Sequence, residues 1–152
     1  MTVTGLPIWC ANAAVEDSDN DEEGSLTSLD YVGMGLFLLG FSVEVVADLQ
    51  KEIFKRKKTK LWIDEGLWHL AQHPNYFGEI VLWTGISISS LAGSKSFLGS
   101  VLPCLTPIFA TYLLTRVSGV PFLRRANKKK WGLNAEYRKY LRETPLLIPW
   151  PK

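Results

Sequence analysis

The sequence predicts an all-α membrane protein, with about three spans and short interfacial and C-terminal cytosolic helices. Three observations predict it. Apolar residues collect in three blocks, 31–47, 76–92 and 97–115, each near the roughly 17–25 residues that cross a bilayer as a helix. Charges collect between the blocks, so a mean hydropathy of only +0.05 hides a strong segregation. Six Trp is a high count for 152 residues, and Trp favours places where one side is apolar and the other wet.

The bulk composition narrows the partners. A net charge of +2 does not suggest a nucleic-acid partner. Cys10 and Cys104 lie far apart in apolar surroundings and read as buried thiols. The N-terminus is not a signal peptide, because it lacks a basic start and a long apolar run. Leu6-Pro7-Ile8-Trp9-Cys10-Ala11 reads instead as the tail of an apolar segment, and an acidic loop with Glu16, Asp17, Asp19, Asp21, Glu22 and Glu23 follows it. Residues 1–30 are therefore expected to be the remnant of a preceding span plus a loop, and 31–152 a membrane domain.

Taken in order, block 31–47 holds Gly33, Gly35 and Gly40, which would allow close helix contact in a membrane, and one acid, Glu44. Lys51, Lys55, Arg56, Lys57, Lys58 and Lys60 then make a basic flank, cytosolic under the positive-inside rule. Residues 61–75 mix Trp62 and Trp68 with charges and suit an interfacial helix or loop. Pro74 fits the first turn of the second block, where its missing N–H costs nothing. Gly93-Ser94-Lys95-Ser96 makes a short turn, so the second and third blocks form an antiparallel hairpin. The third block carries Pro103 and Pro107, which membrane helices tolerate. A second basic flank, Arg124 to Lys130, follows a two-helix hairpin after the first flank and so falls on the same side. The 61–75 segment and the tail from Trp131 onward can then meet at the inner interface.

The chemistry concentrates in Gly66 to Glu79, at the mouth of the second block. A bilayer tolerates such polar groups only where they pair or bind something. His69 and His73 have the four-residue spacing of a metal pair, but no third ligand is near and Pro74 restarts the helix, so no metal is expected. Asn75 and Glu79 share a helix face. Asn offers a donor and an acceptor together, suited to a carboxamide or carbonyl. Glu79 alone would pass for an acid favoured by a helix N-terminus. Gly78 beside them permits close approach of a neighbour or ligand.

Gly66-Leu67-Trp68, His73-Pro74-Asn75-Tyr76-Phe77-Gly78-Glu79, and Tyr137-Arg138-Lys139-Tyr140 with Leu147-Ile148-Pro149 resemble the C-terminal domain of the steroid 5-alpha-reductase family. The similarity is to a branch of unknown function with an "RHPNYFGE" signature. Glu44 to Lys51 is similar to that branch's "E-x-x-AD-x-Q-K" element, and Ser118-Gly119-Val120-Pro121 to its "SGVP". The resemblance covers about residues 31–150, and the run His73–Glu79 is its specific part. It implies a membrane-embedded, NADPH-dependent reductase of a carbon–carbon double bond conjugated to a carbonyl, in a lipid or steroid-like substrate, in the endoplasmic reticulum with a cytosolic C-terminus. It implies that Glu79 faces nicotinamide and substrate as the catalytic residue. Asn75 would hold the carboxamide, and Asp48, Lys55, His73, Tyr76, Tyr137 and Tyr140 would contact the dinucleotide. Two features depart from the family: Gln72 stands where the branch has Arg, and the chain starts after the additional N-terminal spans, which reads as a truncation. The element "HPxY" also occurs in isoprenylcysteine carboxyl methyltransferases, whose cofactor is S-adenosylmethionine, but Glu136 and Glu143 do not make their paired acidic element. A non-catalytic membrane scaffold is the third alternative.

Overall fold

The computed structural model describes residues 26–57, 61–92, 94 and 96–149, and among them every regular element is a helix. The expected remnant and acidic loop, Cys10 included, lie outside the described residues. Helix α1 is Ser28–Lys57. It starts at Ser28 because Thr27 and Asp30 cap it reciprocally. Asp30 Oδ2 accepts from the Thr27 backbone N–H at 2.8 Å, and Thr27 Oγ1 accepts from the Asp30 N–H at 3.4 Å. It does not stop at Ala47, as the apolar block suggested, but runs on through the basic flank to Lys57. Its last turn carries Lys55, Arg56 and Lys57, the signs that a helix C-terminus favours.

The remaining helices are α2 Leu67–Leu70, α3 Pro74–Ala92, α4 Phe97–Tyr112, α5 Val120–Trp131 and α6 Ala135–Glu143. A π-helical turn, Leu113–Val117, joins α4 to the Ser118-Gly119 bend. Two described stretches, Ser28–Lys57 and Phe97–Trp131, are long and apolar enough to cross a membrane. Helix α3 has the length, 19 residues, but Asn75, Glu79 and a run of Ser dilute its apolarity. The exposed Val32, Leu39, Val46 and Ile53 recur every seven residues along α1, a stripe that a water-soluble helix would bury. The fold is all-α and membrane-like.

The described chain forms two compact units, both drawing on α1. The first takes the residues up to Gly40 with Ile80–Tyr112. Here α1 and α3 cross backbone against backbone. A Cβ on Gly85 would meet the Gly33 carbonyl oxygen at 2.5 Å and the Phe37 nitrogen at 2.6 Å. A Cβ on Gly33 would meet Gly85 O at 2.6 Å. Gly33 thus plays the close-contact part expected of it, whereas a Cβ on Gly35 would touch nothing within 4 Å, because that position faces away. Pro103 and Pro107 lie inside α4. Pro107 has no N–H for the Pro103 carbonyl, and Ser87 Oγ donates to that carbonyl at 2.7 Å instead.

The second unit takes Phe41–Glu79 and Leu113–Lys152. It contains the end of α1, α2, the start of α3, α5, α6 and the tail, and every residue singled out for function falls in it.

Candidate cofactor site

The element Glu44 to Lys51 grips the segment 66–75 residue by residue. Ala47 is fully buried, and its carbonyl accepts from Trp68 Nε1 at 3.0 Å. Gln50 Oε1 accepts from the Leu67 N–H at 3.0 Å and so caps α2, whose own N-cap, Gly66, has no side chain to do it. Gly66 is left-handed at φ +59°, and a Cβ there would run into the Gln50 side chain. Lys51 Nζ sits 5.3 Å above the Trp68 ring. Asp48 Oδ1 accepts from Asn75 Nδ2 at 3.3 Å. Glu44, Asp48 and Glu79 lie close enough to interact electrostatically.

The tail closes on the same segment. The backbone N–H groups of Gln72 and His73 donate to the carbonyls of Pro145 at 2.8 Å and Leu146 at 3.1 Å. Gln72 Nε2 donates to the carbonyls of Thr144 at 2.6 Å and Leu141 at 3.0 Å, the unsatisfied end of α6. Position 72 therefore ties the tail down, and the guanidinium expected there for anions is replaced by a short amide turned toward carbonyls. Tyr140 OH donates to Trp68 O at 2.8 Å. Burial holds that phenol well above its usual range, so Tyr140 offers its ring rather than a proton.

These contacts leave a cleft of about 370 Å³, at the small end of the roughly 300–1,000 Å³ of ligand sites. Part of its lining is aromatic. Trp62 meets Tyr137 edge-on at 5.2 Å between ring centroids, Trp131 meets Tyr137 at 5.6 Å, and Tyr140 stacks at 6.5 Å. Lys51, Lys55, Arg124 and Lys130 line the cleft as well, with Lys130 Nζ 5.8 Å from the Trp131 ring centroid. His73 is also in the lining, 7% exposed and stacked on Tyr76 at 5.1 Å. Burial, followed by the Arg124 and Lys51 charges, lowers its pKa from 6.5 to about 4, so it is neutral near pH 7. A Cβ on Gly119 would meet the Leu114 carbonyl oxygen at 2.5 Å and Tyr76 Cε2 at 2.9 Å, so the backbone there packs directly against the Tyr76 ring.

The sequence-named residues thus divide. Lys55, His73, Tyr137 and Tyr140 line the cleft. Asp48 lines a shallower depression that shares Lys51 and Lys55 with it. Asn75 bonds Asp48, Tyr76 backs His73, and Glu79 neighbours Asp48. Trp62, Arg124, Asn127, Lys130 and Trp131 also line the cleft and were not among the individual residues named for the site. Their signal was present: Arg124, Asn127 and Trp131 follow one another at helical spacing on α5.

Four buried polar atoms find no hydrogen-bond partner among the described residues: Trp62 Nε1 and His73 Nδ1, whose residues line the cleft, and Asn75 Oδ1 and Thr144 Oγ1, whose residues do not. Because Asn75 Nδ2 must face the Asp48 carboxylate, the buried Oδ1 is the atom left without a partner. Buried orphans of this kind normally find a partner, and the aromatic rings and cations of the cleft offer stacking faces and anion contacts to a ligand.

A protein-family model described as a protein of unknown function (DUF1295) matches residues 2–144. The chain is 32% identical over 129 residues to the Delta(14)-sterol reductase of Arabidopsis thaliana, covering 76% of this chain and 31% of that protein. It therefore spans less than a third of that relative's length. No solved structure matches.

Proposed function

The chain belongs to the DUF1295 family, and we propose that it is a membrane-embedded, NADPH-dependent reductase of a carbon–carbon double bond in a sterol-like lipid. The observation that supports this reading is the cleft that Trp62, Trp131 and Tyr137 line together with Lys51, Lys55, Arg124 and Lys130. The similarity to a sterol reductase adds the reaction class and the substrate class. Two apolar stretches of spanning length suit a substrate that arrives from lipid. The two basic flanks suit a cytosolic C-terminus, and the endoplasmic reticulum is the proposed membrane.

In this reading, Asn75 Oδ1 accepts from the carboxamide N–H of the nicotinamide. Lys51, Lys55, Arg124 and Lys130 would hold its phosphates, and Trp62, Trp131 and Tyr137 would offer ring faces to its adenine half. NADPH, when bound, supplies the hydride. Glu79 faces the reacting carbons and gives up the proton, so that one hydride and one proton replace the π bond. A carbonyl conjugated to the double bond would be polarised by that same acid, and a ring alkene would be protonated by it. Neutral His73 fills the floor of the cleft without adding charge beside the cations.

The test supplies the chain, in lipid vesicles, with 4-deuterated NADPH and either a sterol diene or a steroid enone. The expected product gains two mass units from hydride and proton and one further unit from the deuterium, and Glu79→Gln lowers kcat at least about 100-fold. A product without deuterium, or no product with either lipid, overturns the proposal.

A further inference from the structure

We propose that the outward face of α5 docks on the anionic headgroups of the membrane surface. Helix α5 carries Arg124, Arg125, Lys128, Lys129 and Lys130 and no acid. At about 100° per residue its cations divide between two faces. Arg124 and Lys130 turn with Asn127 and Trp131 into the cleft already described. Arg125 and Lys129 lie on the opposite side, in one stripe with Phe122, and Lys128 flanks them. All three cations are exposed. Phe122 is 63% exposed, and Leu133, just past the helix end, is 96% exposed.

Charge and apolarity on one narrow face select the partner. A purely basic face would suit any polyanion. A large aromatic side chain beside the cations and a bare Leu at the end suit a surface that is anionic outside and hydrocarbon beneath, as at the headgroup–acyl boundary. The chain sequence agrees. Helix α5 starts three residues after Val117, the last residue of the π-helical turn that follows the apolar helix α4. A basic segment next to a span lies within reach of the negative surface potential of a cytoplasmic leaflet. The face is separate from the proposed reductase chemistry, since Arg125, Lys128 and Lys129 do not line the cleft.

The test reconstitutes the full chain in vesicles of phosphatidylcholine alone or mixed with phosphatidylserine and reads hydrogen exchange of the α5 amides. Phosphatidylserine should slow exchange across 120–131 by at least about tenfold, and raised salt should reverse it. The triple variant Arg125→Gln, Lys128→Gln, Lys129→Gln should lose this protection while exchange in α1 stays unchanged, which reports an intact fold. Phe122→Ser should weaken protection without removing its salt dependence. Equal exchange in both vesicles, protection retained by the triple variant, or the same protection from free inorganic phosphate or an acidic peptide in phosphatidylcholine vesicles would overturn the proposal.

Discussion

Gln72 shows how a single residue can differ from expectation for a physical reason. Its amide closes two carbonyls at the end of α6, so the tail is fastened to the segment that carries His73 and Asn75. Gln72→Ala leaves both carbonyls unsatisfied and should cost about 1–3 kcal/mol. Thermal unfolding in detergent measures it, and an unchanged midpoint would remove the tie from the description. His73 makes a pH prediction. Its folded pKa, about 4, lies below the usual 6.5, so the unfolded chain takes up a proton first as pH falls. Its stabilising contribution is complete above about pH 6.5 and is lost as pH falls through 4, by about 3 kcal/mol in all. Denaturation midpoints from pH 7 to 4 should therefore fall more steeply for the wild type than for His73→Gln. Parallel slopes would mean that the imidazole is solvated.

At the scale of elements, the decisive contacts are helix against helix. Gly85→Ala forces a methyl against the Gly33 carbonyl and the Phe37 nitrogen and should cost about 1–3 kcal/mol, whereas Gly35→Ala meets nothing and should be neutral or mildly stabilising. If both variants unfold at the wild-type midpoint, the α1–α3 crossing is looser than described. The positions of the helices were legible in the sequence, because blocks of apolar residues, Pro74 and the Ser118–Pro121 turn all mark them locally. Their ends were less so. Helix α1 runs ten residues past Ala47, since Lys and Arg are good helix formers and favour a helix C-terminus. Which glycine faces a neighbour was illegible, because Gly33 and Gly35 differ only in which side of α1 they occupy.

For the whole molecule, the sequence singled out one run for chemistry but not the contacts that surround it. The run His73–Glu79 stands out by composition alone, and the charge map brings the tail to it. The grip of Ala47, Asp48, Gln50 and Lys51 on residues 67–75 was hidden, because it depends on contacts 17 to 27 positions apart. The α5 wall of the cleft was hidden as well, because Arg124 and Lys130 read as one more basic flank until their direction is known. The central claim is that this assembled cleft takes a nicotinamide dinucleotide phosphate. Trp62, Trp68 and Trp131 in its walls supply a direct reporter, since a reduced nicotinamide quenches nearby Trp emission by energy transfer. Titrating the chain with NADPH should quench that emission saturably, with NADH binding at least about tenfold more weakly for want of the phosphate that the cations hold. Asn75→Ala should raise the Kd by a similar factor. Saturable quenching that S-adenosylmethionine reverses and excess NADP+ does not, or no quenching at all, would contradict it.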